Sequence, residues 1–311
     1  MKYIYVEHED IEQFREHMFV DANVYQMSQG PLHAFRKSLI LDNVSLFYRQ
    51  EGAAIVATCL NLPDQFLLAI PLLDIIVNGK ELTMEQLFVI APDEVIHHPV
   101  PEDFQAFGIC FTKNQALQYL SAELLQAITK NAEAIRANKI ALPFIAEFKT
   151  RVIALYEDLF ANREQVNAEQ IADYEKTLFL LLEQLFAPLL HQSKGTGHFI
   201  GSRRNIVSRA IEYIVENDID DIPVQELADK CYCSMRSLEY AFKSIYQITP
   251  KQFLTIRRLH IVRDKIKAQE FATLKDLMLD MGISNPGRFS AQYFKLFAEY
   301  PKETWSRFKV Q

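Results

Sequence analysis

Hydrophobic and polar positions change their period once along the first two thirds of the chain. Over the first 112 residues or so, apolar side chains alternate with polar ones or form short runs, at 34–48, 53–60, 66–70, 72–77, 87–90 and 104–111. Asn43, Gly52, Pro63-Asp64, Pro71, Asn78-Gly79 and Pro92-Asp93 separate them. Many short strands at such spacing predict a β-sandwich or small barrel. From 114 to 190 the period becomes helical, with apolar stripes through Leu117, Leu120, Leu124 and Ile128, then over 140–160 through Phe144, Phe148, Val152, Leu155 and Leu159, then Ile171, Tyr174, Leu178, Leu181, Leu182 and Leu185. Residues 191–204 hold three of the nine glycines and little to bury, which predicts a flexible linker.

Beyond that linker a passage occurs twice. Leu227 and Ser234 recur fifty positions later as Leu277 and Ser284, while Leu238, Phe242, Tyr246 and Pro250 recur fifty-one later as Phe289, Tyr293, Phe297 and Pro301. Each copy reads as a short helix, a turn opening on Ser, and a second helix with apolar residues at i, i+4, i+8 that ends before Pro. One residue has been added in the second turn. This is the pattern of a helix-turn-helix, present twice.

Around the repeats the chain resembles the AraC/XylS family of bacterial transcription regulators. The resemblance covers roughly 206–307 and is carried by Gly282, Ile283, Ser284, Asn285, Pro286, Gly287, Arg288 and Phe289, then Tyr293, Lys295, Phe297 and Pro301, and by the connecting Pro250, Phe253, Leu254, Arg258, Leu259, Val262 and Arg263. Ile283 stands where the family usually has Phe, and Ala298 where it usually has Gly. The resemblance implies an α+β, two-domain protein: a cupin-like β-barrel with flanking helices at 1–190 for effector sensing and dimerisation, a linker at 191–204, and an all-α domain at 205–311 with two helix-turn-helix motifs. It implies a ligand-responsive activator working as a homodimer, with double-stranded DNA and RNA polymerase as partners. The alternative is a DNA-binding regulator whose N-terminal domain contacts another protein and takes no small molecule.

Charge divides the chain at the same place. From residue 201 onward 18 Lys and Arg face 14 Asp and Glu, a balance of +4, whereas residues 1–200 carry −11. The repeat-bearing part is therefore the expected partner of a phosphate polyanion. No stretch reaches 18 apolar residues, and Met1-Lys2-Tyr3-Ile4-Tyr5-Val6-Glu7 turns acidic too soon for a signal peptide, so a cytoplasmic protein away from the membrane is expected.

Chemistry beyond binding is weakly supported. His97 and His98 are adjacent, so a strand would turn them to opposite faces and deny them a shared metal. Cys231 and Cys233 lack a second pair at zinc-ligand spacing and read as turn packing. No nucleophile-base pairing or glycine-rich phosphate loop is evident, so neither an enzyme, a metal nor a cofactor is expected.

Base reading is assigned to Arg236, Glu239 and Tyr240 of the first motif and to Asn285, Arg288 and Gln292 of the second, the outward positions of the two second helices. Ser234, Lys243, Lys251, Lys295, Lys302 and Arg307, near helix ends and turns, are assigned to phosphates. Arg258, among apolar neighbours, reads as a buried arginine paired to Glu226 or Asp229. His33, Arg36, Tyr48 and Arg49 are the polar candidates near the strands; an apolar pocket with a cationic group suits a carboxylate-bearing aromatic or a fatty acid. The resemblance adds small amines to those effector classes. Ile171, Tyr174, Leu178 and Leu185 form a stripe that either covers the open end of the barrel or, as the resemblance implies, pairs two protomers on successive half-sites.

Overall fold

Short polar residues in left-handed backbone end the strands. Asp64, Asn78, Asp93 and Asp103 all have φ between 50° and 63°, a conformation that Asp and Asn tolerate better than branched residues. The computed structural model describes residues 1–18, 20–140, 142–191, 201–217 and 222–308. Its first part runs β1 (Lys2–His8), α1 (Ile11–Glu16), β2 (Asp21–Gln26), β3 (Ala34–Ile40), β4 (Ser45–Glu51), β5 (Ile55–Leu60), β6 (Gln65–Pro71), β7 (Ile75–Val77), β8 (Lys80–Leu82), β9 (Phe88–Ile90), β10 (Val95–Val100) and β11 (Phe104–Thr112). Helices α2 (Lys113–Ala116), α3 (Ala122–Arg136), α4 (Ile145–Ala161) and α5 (Ala168–Phe186) follow. A 3₁₀ turn, Ala187–His191, closes this part.

Six strands pair in the order β1-β3-β4-β11-β6-β9, three in the order β10-β5-β2, and β7 pairs with β8; every pairing is antiparallel. Period-two alternation gives the six-stranded sheet two cores. Phe104 and Ala106 face the smaller sheet with Ile55, Ala57 and Val24, while Phe107, Ile109 and Phe111 face α3, α4 and α5. Gly108 lies opposite Phe47 in register, and a Cβ there would sit 2.0 Å from the Phe47 ring, so only glycine fits.

The stripe expected to pair protomers is turned inward. Ile171, Leu178 and Leu185 are buried in the core between α5 and the sheet, with Leu178 0% exposed, and Tyr174 bonds Asp158 of α4 through its hydroxyl. The solvent face of α5 carries Asp173, Lys176, Leu180, Glu183 and Gln184, with one large apolar residue among them. The stripe is therefore the attachment of α5 to the sheet, which has a whole apolar outer face to cover.

The second part is helical: α6 (Gly201–Glu216), α7 (Val224–Lys230), α8 (Met235–Tyr246), α9 (Pro250–Ala268), α10 (Leu274–Asp280), α11 (Pro286–Phe297) and α12 (Pro301–Phe308). Of the stretch read as a linker, His191 closes the 3₁₀ turn and residues 201–204 open α6; residues 192–200 lie outside the described residues.

Candidate DNA interface and sensor lumen

The two repeats become α7-turn-α8 and α10-turn-α11, joined by α9. Cys231 and Met281 end the first helices, and Tyr232 and Gly282, next in line, both take left-handed φ of 54° and 61°. The caps of the second helices are Ser234, whose Oγ accepts from Ser237 N at 3.1 Å, and Asn285, whose Oδ1 accepts from Arg288 N at 3.0 Å. The extra residue of the second copy thus falls between the left-handed residue and the cap. Asn285, assigned to base reading, uses its carbonyl oxygen to hold its own helix.

Arg236, Ser237, Glu239, Tyr240 and Lys243 line one open groove on the outward side of α8. Arg288 and Gln292 look elsewhere: with Met235, Lys251, Thr255 and Arg258 they line a cleft of about 620 Å³ between the motifs. Counting from the caps, the partners of Arg236, Glu239 and Tyr240 are Gly287, Ser290 and Ala291, so the motifs present different chemistry from equivalent positions. Lys243, Lys251, Lys295 and Lys302 are exposed. Arg307 is also exposed and meets Glu299 at 2.8 Å. Arg258 is only partly buried and donates to the Met281 carbonyl, bracing the turn of the second motif. The deeply buried arginine is its neighbour Arg257, which donates to Ile214 O at 3.3 Å.

Between the two sheets lies a narrow lumen of about 70 Å³. Arg36 and Arg49 stand directly opposite each other across β3 and β4 and both line it, as do Glu51, His8 and His98. Glu51 is fully buried and meets Arg49 at 3.4 Å; burial raises its carboxyl above the usual range, against the pull of the two arginines. Burial and the neighbouring Arg49 lower the Arg36 guanidinium to about 10. His98 is held neutral, lowered to about 3 by burial, and its Nδ1 is buried without a hydrogen bond. Of the four proposed effector residues, Arg36 and Arg49 line the lumen. His33 is exposed in a left-handed turn. Tyr48 lies on the opposite strand face, bonding Gln105 at 2.8 Å. Phe14, His17 and Met18, on or just after α1, close one side.

The β-domain also grips both motifs. His97 points away from the lumen, as alternation requires, and joins Tyr246 OH at 2.9 Å and Ser208 Oγ at 2.8 Å. His260 of α9 bonds the Gln26 carbonyl at 3.1 Å, which makes its Nε2 the donor. Gly30 N donates to Leu296 O of α11 at 3.2 Å. From α1, Asp10 and Glu12 meet Lys267 at 2.9 Å each, Glu12 meets Arg263 at 3.5 Å, and Arg15 meets Asp264 at 3.1 Å. Sequence periodicity identifies Tyr246 only as core. Its hydroxyl has no counterpart in Phe297, its repeat partner, and that difference was the available signal.

A C-terminal pair of capped helix-turn-helix units on one connecting helix defines a DNA-binding transcription regulator. A helix-turn-helix domain model matches residues 227–307. An operon activator of Pseudomonas putida, XylDLEGF operon transcriptional activator 3, is 25% identical over 73% of this chain and 60% of its own length. XylDLEGF operon transcriptional activator 2 of the same organism is 30% identical over 33% of this chain and 67% of its own length. The chain belongs to the AraC/XylS family. Among solved structures, the AraC-like transcriptional activator CuxR aligns over 87% of this chain and 96% of its own, at 12% identity and TM-score 0.44. ToxT from Vibrio cholerae aligns over 94% of this chain and 100% of its own, at 8% identity and TM-score 0.30. Among the described residues no helix is long and apolar enough to cross a membrane, and no group of three or more His, Cys, Asp or Glu is arranged to hold a metal.

Proposed function

We propose that this regulator reads DNA through Arg236, Glu239 and Tyr240 of α8 and Arg288 and Gln292 of α11, and that its lumen takes a small carboxylate-bearing effector. The observation that carries the effector reading is the cross-strand pair Arg36 and Arg49 in a lumen that holds one carboxylate, Glu51, and whose other lining is apolar apart from His8, His17 and His98. Like charges placed directly opposite are destabilising, and an incoming carboxylate would relieve them with charge-assisted hydrogen bonds. Amines, by the same balance, are disfavoured.

The lumen is too small for an effector until α1 moves. That helix has two working faces: its Phe14 lines the lumen, while Glu12 and Arg15 hold α9. Entry of a ligand would therefore loosen the grip on the helix that joins the two motifs, which is a differential contact of the kind coupling requires.

Thermal denaturation of the full chain against aliphatic and aromatic monocarboxylates and the matching amines tests this reading. Carboxylates should raise the midpoint, amines should not, and Arg49→Ala should abolish the response. No shift with any small molecule would favour a β-domain that contacts another protein, a reading to which the small lumen volume lends support.

A further inference from the structure

We infer that Arg203 is a positioning residue for base reading by the first motif, acting through the ring of Tyr240; this rests on the DNA-binding reading above. The Arg203 guanidinium carbon lies 4.2 Å from the centroid of the Tyr240 ring, and its Nη1 is 3.4 Å from Ser244 Oγ. Arg203 opens α6, and Tyr240 and Ser244 lie one turn apart on α8. Both Arg203 and Tyr240 are exposed, Tyr240 at 57%, so neither is held there by core packing; the attraction between cation and ring is what joins them.

Tyr240 stands between Arg236 and Lys243 in the open groove of α8. With a guanidinium over one face, the ring keeps its other face, its edge and its hydroxyl for a base, and loses rotamers that would swing it out of the groove. A planar guanidinium stacks in this way, whereas a lysine ammonium is a point charge. Arg203 has five N–H donors, and Ser244 occupies one, which leaves others for a phosphate oxygen at the groove edge. Composition alone hides this role, because Arg203 falls in the glycine-rich stretch that reads as a linker.

The test uses the full chain and the duplex it selects from a random pool. Tyr240→Ala first identifies the base pair that Tyr240 reads. Arg203→Ala should weaken binding to the selected duplex about two- to fivefold, relax preference at that same base pair, and lower the slope of log affinity against log salt by about 0.9. Arg203→Lys should keep the salt slope and lose the preference. In the Tyr240→Ala background, Arg203→Ala should leave base preference unmoved. A loss in Arg203→Ala that is equal for all sequences, or no change at all, overturns the inference while leaving DNA binding intact. A parent chain that selects no duplex overturns the DNA-binding reading, and this one with it. Matching melting temperatures of variant and parent are expected, since Arg203 is on the surface.

Discussion

His97 Nδ1 and Tyr246 OH lie 2.9 Å apart, joining a β-strand of the first half to the last turn of α8, with their rings at 89°. The imidazole is wholly buried, and burial, then the nearby Arg204, lowers it to about 3. His260, at the same junction, is lowered for the same first reason. A histidine whose folded value is depressed contributes its full stability above about 6.5, the unfolded value, and loses it as pH falls from there toward 3. Each histidine then costs up to about 1.4 kcal/mol per pH unit. Raised carboxyls work in the other direction. Glu51 lies inside the lumen, away from the junction, whereas Asp264, at the junction beside Arg15 and raised to about 6 chiefly by burial, offsets part of the histidine effect.

The junction should therefore open on acidification before the β-domain melts. Small-angle scattering of the full chain from pH 7.5 to 5 should record expansion without loss of strand signal in circular dichroism. His97→Gln, which keeps polar partners for Tyr246 and Ser208 but does not titrate, should shift the expansion to lower pH. An unchanged transition in that variant would assign the acid response to other groups.

Leu178 gives the second prediction. It is completely buried between α5 and the sheet, so Leu178→Ala should cost about 2–5 kcal/mol, and Leu178→Glu should unfold the β-domain. Denaturant titration checks the first and circular dichroism the second. A folded Leu178→Glu protein would contradict the packing described for α5.

Gly282 and Tyr232 share one backbone conformation in the two turns. A Cβ at Gly282 would meet nothing nearer than Arg258 Nη2 at 3.9 Å, so Gly282→Ala should cost about 1 kcal/mol from backbone strain alone. Tyr232 is 88% exposed, so Tyr232→Gly should relieve similar strain, leaving stability equal or up to about 1 kcal/mol higher. Differential scanning calorimetry of the two variants measures both signs.

Arg236 and Lys302 should respond differently to truncation. Arg236 lines the outward groove of α8, and Lys302 lies in the first turn of α12. Arg236→Ala is expected to relax preference at one base pair at a cost of about 1–3 kcal/mol, whereas Lys302→Ala should weaken all sequences about equally. Competition binding with single-base variants of the selected duplex separates the two behaviours.

Periodicity made much of this molecule legible. The repeat offset of fifty and fifty-one located both motifs, the Ser234 cap of the first and the inward Leu238, Phe242, Phe289 and Tyr293, but it paired Ser234 with Ser284, whereas the second cap is Asn285, one residue on. Alternation alone places His97 and His98 on opposite faces of β10. Exposure was harder, because an apolar stripe looks the same whether it meets its own sheet or a second protomer; Leu178 turned out to do the former. The short β1, α1 and β2 lacked a long enough pattern to register. The junction was invisible for another reason. Its members, such as Arg15 with Asp264 and Thr58 with Tyr246, are 249 and 188 positions apart, and a single sequence contains no local trace of pairings at that range.

The β-domain holds the first motif at Tyr246 and the second at Leu296, through side-chain and backbone contacts respectively. The stagger of the two reading helices is therefore not a property of the helical half alone. Exchanging the N-terminal halves of two such regulators would yield chimaeras in which both parts fold, yet the reading helices meet the double helix out of phase. The face that the β-domain turns to the helices and the stagger of α8 and α11 would then have to change together, as one inherited unit.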